Sequence, residues 1–158
     1  MDKEAFSRQV TAMQTSLYRV AASYLRGEAD RLDAVSEAIA RAWEKRGTLR
    51  DEWYFKTWMT RILIRECIAI TRCQKRAVPV ETLPEQISDD AAYDRVNLLR
   101  WGLEQLPQRQ RTMIVLHYME GYDVNETARI IGTTKGAVCA GLSRARDTLR
   151  TLIGEEIR

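Results

Sequence analysis

A chain of 158 residues, 45% hydrophobic and 30% charged, is long enough for one ordinary domain or two small ones and too apolar to stay disordered. No stretch approaches the ~20 apolar residues of a membrane span, the amino-terminal MDKEAFSRQV has no apolar signal core, and a cytoplasmic location is expected. The net charge of +3 hides an asymmetry, because residues 1 to 76 hold 15 Lys/Arg against 10 Asp/Glu, residues 77 to 92 none against 4, and residues 93 to 158 10 against 8. Two basic blocks joined by an acidic strap suggest two nucleic-acid-facing units and a linker that phosphates repel.

Helical periodicity dominates, with no convincing strand alternation. A first helix is expected from about Lys3 to Leu25, with Phe6, Val10, Met13, Leu17, Val20 and Tyr24 on one face and Gly27 ending it. A second is expected from Asp30, as its cap, to Gly47, with Val35, Ile39, Ala42 and Trp43 inward and Asp33, Glu37, Arg41 and Glu44 on another face. The segment TLRDEWYF, residues 48 to 55, breaks the pattern. It leads into a third helix from about Trp53 to Gln74, with Trp58, Ile62, Cys67 and Ile70 packed inward and Lys56, Arg61, Arg65 and Arg72 left on a basic surface.

Residues 77 to 92, AVPVETLPEQISDDAA, hold two of the three prolines, four acids and no helical stripe, as a linker would. From Tyr93 the periodicity resumes: Val96, Leu99, Leu103 and Leu106 form a stripe, and Pro107 suits the first position of the next helix. That helix is expected to bury Met113, Ile114, Leu116 and Tyr118 and to close at Gly121. Asp123 with Glu126 resembles a capping box. In residues 124 to 146, VNETARIIGTTKGAVCAGLSRAR, Ala128 supplies the small contact residue, Gly132 the turn and Val138 the apolar anchor of a helix-turn-helix. Its second helix, from about Lys135 to Ile153, is expected to bury Val138, Leu142, Ala145, Leu149 and Leu152. Such a helix can enter a major groove.

Cys67, Cys73 and Cys139 are an odd count without CxxC spacing, and His117 is the only histidine, so neither zinc nor disulfides are expected. One of Cys67 and Cys73 should be buried; a redox thiol is the lesser reading. The chain offers no Ser/His/Asp or Cys/His set, no phosphate-cradling glycine loop and no metal-ligand cluster, so neither catalysis nor a cofactor is expected.

Taken together, the chain resembles a bacterial extracytoplasmic-function sigma factor. LYRVAASYLRGEADRLDAVSEAIARAWEKRGTLRD followed by FKTWMTRILIRECIAI resembles that family's first conserved domain, and LEQLPQRQRTMIVLHYMEGYDVNETARIIGTTKGAV with LSRARDTLRTLIGEE its second. The resemblance implies an all-α fold of two small helical domains. Residues 1–76 would be the region 2-like domain, 77–92 the linker and 93–158 the region 4-like helix-turn-helix domain. It also implies a non-catalytic initiation subunit whose first domain binds the clamp helices of RNA polymerase core and captures the melted downstream promoter element. The second would bind the polymerase flap and read the upstream element of promoter DNA. An anti-sigma factor, membrane-anchored or free, would hold the chain inactive, with no direct membrane insertion of the chain itself.

Each role falls on particular residues. Asp33 and Glu37, one turn apart, match acids of the polymerase-binding helix, with Arg41 beside them. Trp53, Tyr54, Phe55 and Trp58 lie among Arg50, Lys56, Arg61 and Arg65, offering flat surfaces for bases and cations for phosphates. Trp58 is assigned mainly to the core, and the loop from Thr48 to Trp53 to base capture. The downstream-element set is Arg50, Asp51, Trp53, Lys56, Arg61 and Arg65. The upstream-element set is Thr134, Lys135, Cys139, Ala140, Ser143, Arg144 and Arg146, with Arg144 able to contact guanine or a phosphate.

The chain also departs from the family. Where a recognition helix commonly has valine, a basic residue, serine, arginine and leucine, this one has Val138, Cys139, Ala140, Gly141 and Leu142, and a mid-helix glycine costs ~1 kcal/mol against alanine. Arg65 stands for an asparagine, Ser36 for a glutamine and Leu32 for an acid. These departures define the alternative, a degenerate sigma-like interaction protein that binds polymerase or an anti-sigma factor but reads DNA weakly. A stand-alone helix-turn-helix regulator would account for the carboxy-terminal half only.

Overall fold

A computed structural model describes residues 1–76 and 91–154, with side chains described for residues 1–74 and 97–154. Seven α-helices and no strand occur among the described residues. Of the expected linker, only Ala91 and Ala92 fall within them, as the first residues of a helix; Val96, expected in the next stripe, lies outside the described side chains.

α1, Lys3–Ala22, starts at Asp2, whose carboxylate accepts from the Ala5 N–H at 2.8 Å. It ends earlier than the periodicity suggests, because the Ser23 and Tyr24 amides turn back onto Val20 and Ala21 at 3.1 and 3.0 Å, yet Leu25 is still buried. α2, Glu28–Lys45, is capped by Gly27 rather than Asp30; Glu28 and Asp30 instead sit in its first turn, where the helix dipole favours acids. Its innermost line is Ala34, Ala38 and Ala42, all fully buried, flanked by half-buried Val35, Ile39 and Trp43. Three alanines in one row let α2 press close to its neighbours, so the larger side chains pack around the seam. α3, Phe55–Arg76, is preceded by two 3₁₀ turns, Arg46–Thr48 and Glu52–Tyr54, which place Trp53 before the helix rather than at its start. Phe55, Met59, Leu63 and Cys67 fill the three-helix core, and Cys73 is exposed.

α4, Ala91–Gln105, packs on the last helix through Gly102. A Cβ there would stand 2.6 Å from Ile153 Cδ1 and 3.1 Å from Leu149 Cδ2, so a side chain would push the helices apart. α5, Gln108–Ile114, has Pro107 as its cap, one residue before the helix rather than at the first helical position expected for it. It continues into a π-helical turn, Val115–Met119, where the Glu120 N–H reaches Val115 O at 3.0 Å. An extra residue in one turn rotates the succeeding side chains by ~100° around the axis. Tyr118, expected in the core, therefore faces outward at 54% exposure, and Tyr122 is buried instead. α6, Val124–Ile131, and α7, Lys135–Ile153, complete the bundle around Leu106, Met113, Ile114, Ala128, Val138, Leu142 and Ala145. At the end of α7, Ile153 is buried and Leu152 is 37% exposed, the reverse of the expected inward residue.

The halves are not separate bodies. Val115, Leu116, Tyr122 and Ile130 belong to the same buried cluster as Leu17, Val20 and Met59 of the amino-terminal half. Arg111 ties the junction: Nε donates to Leu103 O at 2.8 Å, Nη2 to Glu104 O and Leu106 O at 3.0 and 2.9 Å, and Nη1 to Ser23 O at 3.0 Å. One guanidinium thus satisfies the orphan carbonyls at the end of α4 and the turn after α1.

Candidate functional interfaces

Three exposed surfaces carry the sequence-predicted residues. On α2, Asp33 and Glu37 are exposed. Arg41 is exposed too, but its Nε stands 2.6 Å from Glu66 Oε1 on α3 and 3.3 Å from Glu37 Oε1. Glu66 is the more buried partner, so Arg41 braces α2 against α3 and orients Glu37, leaving Asp33 and Glu37 as the acids presented outward. Leu32, 52% exposed, adds an apolar contact beside them.

The second surface is built on an aromatic anchor. Phe6 meets Phe55 edge-on at 5.8 Å and Trp43 at 5.2 Å, and Trp58 packs on Phe55 at 5.8 Å. Phe55 is therefore core, and Trp58 is half-buried as assigned from the sequence. Arg46 lies over the Trp43 ring at 3.6 Å and donates to Trp43 O at 2.6 Å, pinning the near end of the loop. At the far end the Asp51 carboxylate accepts from the Trp53 N–H at 2.9 Å. Asp51 thus shapes the turn that presents the indole. Held at both ends, the loop leaves Trp53 85% exposed, with Tyr54 beside it. An exposed indole of this kind offers a large flat apolar face. Tyr54, named in the aromatic cluster from the sequence but not in its downstream-element set, is exposed too. Arg50, Lys56, Arg61 and Arg65 are exposed and, among the described residues, in no salt bridge. They remain available for phosphates.

The third surface is the helix-turn-helix. Asp123 caps α6 by accepting from the Glu126 N–H at 2.8 Å. That bond holds the Asp123 carboxyl below its ordinary value, while burial and the neighbouring Asp123 raise Glu126. Gly132 takes φ +81°, a left-handed conformation that closes α6 through Gly132 and Thr133 amides bonded to Ala128 O, both at 2.9 Å. Thr134 then caps α7 through the Ala137 N–H at 3.1 Å. Ala128 shares its buried cluster with Val138, as the motif requires.

Along α7, Lys135, Cys139, Ala140, Ser143, Arg144 and Arg146 are all exposed, and Val138, Gly141, Leu142 and Ala145 are buried. The outward row is therefore one face, with Lys135 near the helix start and Arg144 further along. Arg146 leans back to donate to the Tyr118 hydroxyl at 2.7 Å. Gly141 lies on the inner face: a Cβ there would be 2.4 Å from Met113 Sδ. Its missing side chain is a packing adjustment with Met113 and not an absent contact on the outer face.

None of the described residues forms a cluster of three or more metal-ligating side chains, and none of the described helices is long and apolar enough to cross a membrane.

Comparison with known proteins agrees with this layout. Residues 9–77 match the Sigma-70 region 2 family model and residues 100–149 the Sigma-70 region 4 model. The chain is 31% identical over 149 residues to the RNA polymerase sigma factor SigV of Bacillus subtilis, covering 93% of this chain and 90% of that one. It is 28% identical over 155 residues to the ECF RNA polymerase sigma factor SigM of Mycobacterium tuberculosis, covering 97% and 79%. Its fold superposes, with a TM-score of 0.84 over 97% of this chain and 99% of the other, on the sigma factor RpoE of Bartonella quintana solved in complex with the anti-sigma factor NepR, at 23% identity.

Proposed function

This chain belongs to the extracytoplasmic-function sigma factors of bacterial RNA polymerase, and from that premise we propose how its surfaces divide the work of promoter-specific initiation. The α2 acids Asp33 and Glu37 engage the clamp helices of the polymerase core, with Leu32 adding apolar contact. Two acids one turn apart suit a basic helical surface. The Trp53 loop takes a base of the melted downstream element, while Arg50, Lys56, Arg61 and Arg65 neutralise phosphates around it. α7 enters the major groove at the upstream element, with Lys135 and Arg144 as its principal cations. The carboxy-terminal half also meets the polymerase flap. Bond formation belongs to the polymerase; this chain, working in the cytoplasm, supplies promoter choice. An anti-sigma factor is the expected regulator, since the structurally similar RpoE was solved with one.

The observation that carries the reading is the exposure of Trp53 and of the outer α7 face on the two halves matched to regions 2 and 4. The degenerate alternative draws on Cys139 and Ala140, exposed where a basic residue and a serine are common in the family. It loses its third support because Gly141 is buried against Met113.

The experiment is in vitro transcription from fragmented host genomic DNA with purified core polymerase, with and without the chain. Starts that appear only with it, preceded by two shared spaced elements, are expected. Tight binding to core without new starts would favour the degenerate reading. Arg144→Ala should weaken use of the upstream element selectively.

A further inference from the structure

We propose that Tyr118 and Arg146 form a phosphate clamp that grips the DNA backbone at the edge of the upstream element, with Tyr118 as a contact residue in its own right. The inference rests on the reading that the outer face of α7 meets promoter duplex, and it adds to that surface a residue from outside α7.

Two features bring the pair together. The π-helical turn Val115–Met119 rotates Tyr118 out of the core, to 54% exposure. Its ring is steadied by His117, which meets it edge-on at 4.9 Å, and His117 is itself fixed because Nδ1 donates to Tyr122 O at 2.8 Å. On α7, Cys139, Ser143 and Arg146 follow one another at helical spacing and are all exposed, so Arg146 continues the outer row by one turn. From there its Nη1 donates to the Tyr118 hydroxyl at 2.7 Å.

The location suits a phosphate and not a base. A recognition helix reads base edges with its amino-terminal residues. At about 1.5 Å per residue, Arg146 stands about 16 Å along α7 from Lys135, more than the ~12 Å width of a major groove, which carries it past the bases to the sugar-phosphate flank.

The chemistry of the partner decides what Arg146 can do there. A carboxylate would cancel the guanidinium charge, whereas a phenol holds the group and leaves it charged. The neighbouring acid, Asp147, turns to Arg150 at 3.5 Å, and among the described residues Arg146 is in no salt bridge. Tyr118 thus fixes the side chain while its charge and its remaining N–H groups stay open to an anion. The phenol oxygen accepts from Arg146, so its own proton is left to donate, and a phosphate against the pair meets a charged fork and a hydroxyl together. An arginine held in advance also loses less freedom on binding than a loose one.

The test uses the full-length chain assembled with core polymerase and fluorescent promoter duplexes carrying the upstream element, titrated over a range of salt. Arg146→Ala should weaken binding and make the dependence of log K on log salt shallower by about one. Matched and scrambled elements should suffer alike, because a phosphate contact carries no sequence information. Tyr118→Phe keeps the ring at an exposed position and should weaken binding by roughly threefold to tenfold. Tyr118→Glu gives Arg146 a firmer structural partner but cancels its charge, so it should bind as poorly as Arg146→Ala, with the same shallower slope. Single neutral methylphosphonates walked along the duplex should reveal one position at which wild type and Tyr118→Phe bind equally. Wild-type affinity and slope in Tyr118→Glu would make Tyr118 a structural partner only and overturn the proposal, as would the absence of any such methylphosphonate position. Loss of affinity for the matched element in Arg144→Ala would still uphold the reading of α7 in either case. A wild-type holoenzyme indifferent to the upstream element defeats that reading and the proposal with it.

Discussion

Replacing Gly141 with alanine sets helix propensity against core packing. A glycine inside an exposed helix face costs ~1 kcal/mol relative to alanine, so Gly141→Ala should stabilise the protein by that amount if the position were open. In the structure the new Cβ would lie 2.4 Å from Met113 Sδ and 3.2 Å from its Cε. Met113 is 3% exposed and has only a packed core to move into. Overpacking of this kind costs about 1–3 kcal/mol, so after the helix-propensity gain the net effect is a loss of about 0–2 kcal/mol. Met113 is flexible, which favours the lower half of that range. Urea denaturation followed by far-ultraviolet circular dichroism measures it, and a double-mutant cycle with Met113→Val isolates the contact. A coupling of about 1 kcal/mol, with Gly141→Ala less damaging once Met113 is shortened, is expected. A gain of about 1 kcal/mol from Gly141→Ala alone, with no coupling to Met113, would refute the reasoning. Gly141→Arg, the residue common in the family, should disrupt α5–α7 packing far more, so it cannot be used alone to restore DNA contacts.

Trp53→Ala should leave stability within about 0.5 kcal/mol of wild type, since the indole is 85% exposed, yet weaken binding of downstream-element single strand in the holoenzyme by about 1–3 kcal/mol in titrations. Equal affinity would remove Trp53 from the stacking role. Native-state alkylation should modify two thiols, Cys73 and Cys139, and reach Cys67 only after denaturation, because burial pushes the Cys67 thiol up to about 12 and covers it; mass spectrometry counts them. Acid should loosen the start of α6. The Asp123 pKa is depressed by its bond to the Glu126 N–H, so the cap's contribution is complete above the unfolded carboxyl value and is lost as pH falls through the lower folded one. Asp123→Asn should remove that pH dependence, followed by the Glu126 amide resonance, and a variant with an unchanged acid transition would sink the assignment.

Much of the local structure was legible because helices are governed by contacts three and four residues apart. Phe6, Val10, Met13, Leu17 and Val20 formed one stripe in the sequence and one buried face in the fold. The Asp123 and Gly132 signals helped place the helix-turn-helix because caps and left-handed turns depend on a few adjacent atoms. Residues that act across the chain were not legible. Arg41 reads as a free charge until Glu66, from another helix, takes it. Arg111 has no local signal for its bond to Ser23. Tyr118 was misplaced because a π turn shifts the rotational register without changing the pattern of residue types.

The sequence by itself determined seven helical segments' worth of periodicity, the caps that bound several of them, the two-part family signature and the exposed face of α7, since each depends on spacing along one stretch of chain. Only the tertiary structure decided that Gly141 answers Met113, that Trp53 projects from an anchored loop, and that the two halves share a core through Leu116, Tyr122 and Ile130. Those features depend on shape matching between helices distant in sequence, where a hydrophobic residue is equally compatible with many partners until the packing selects one.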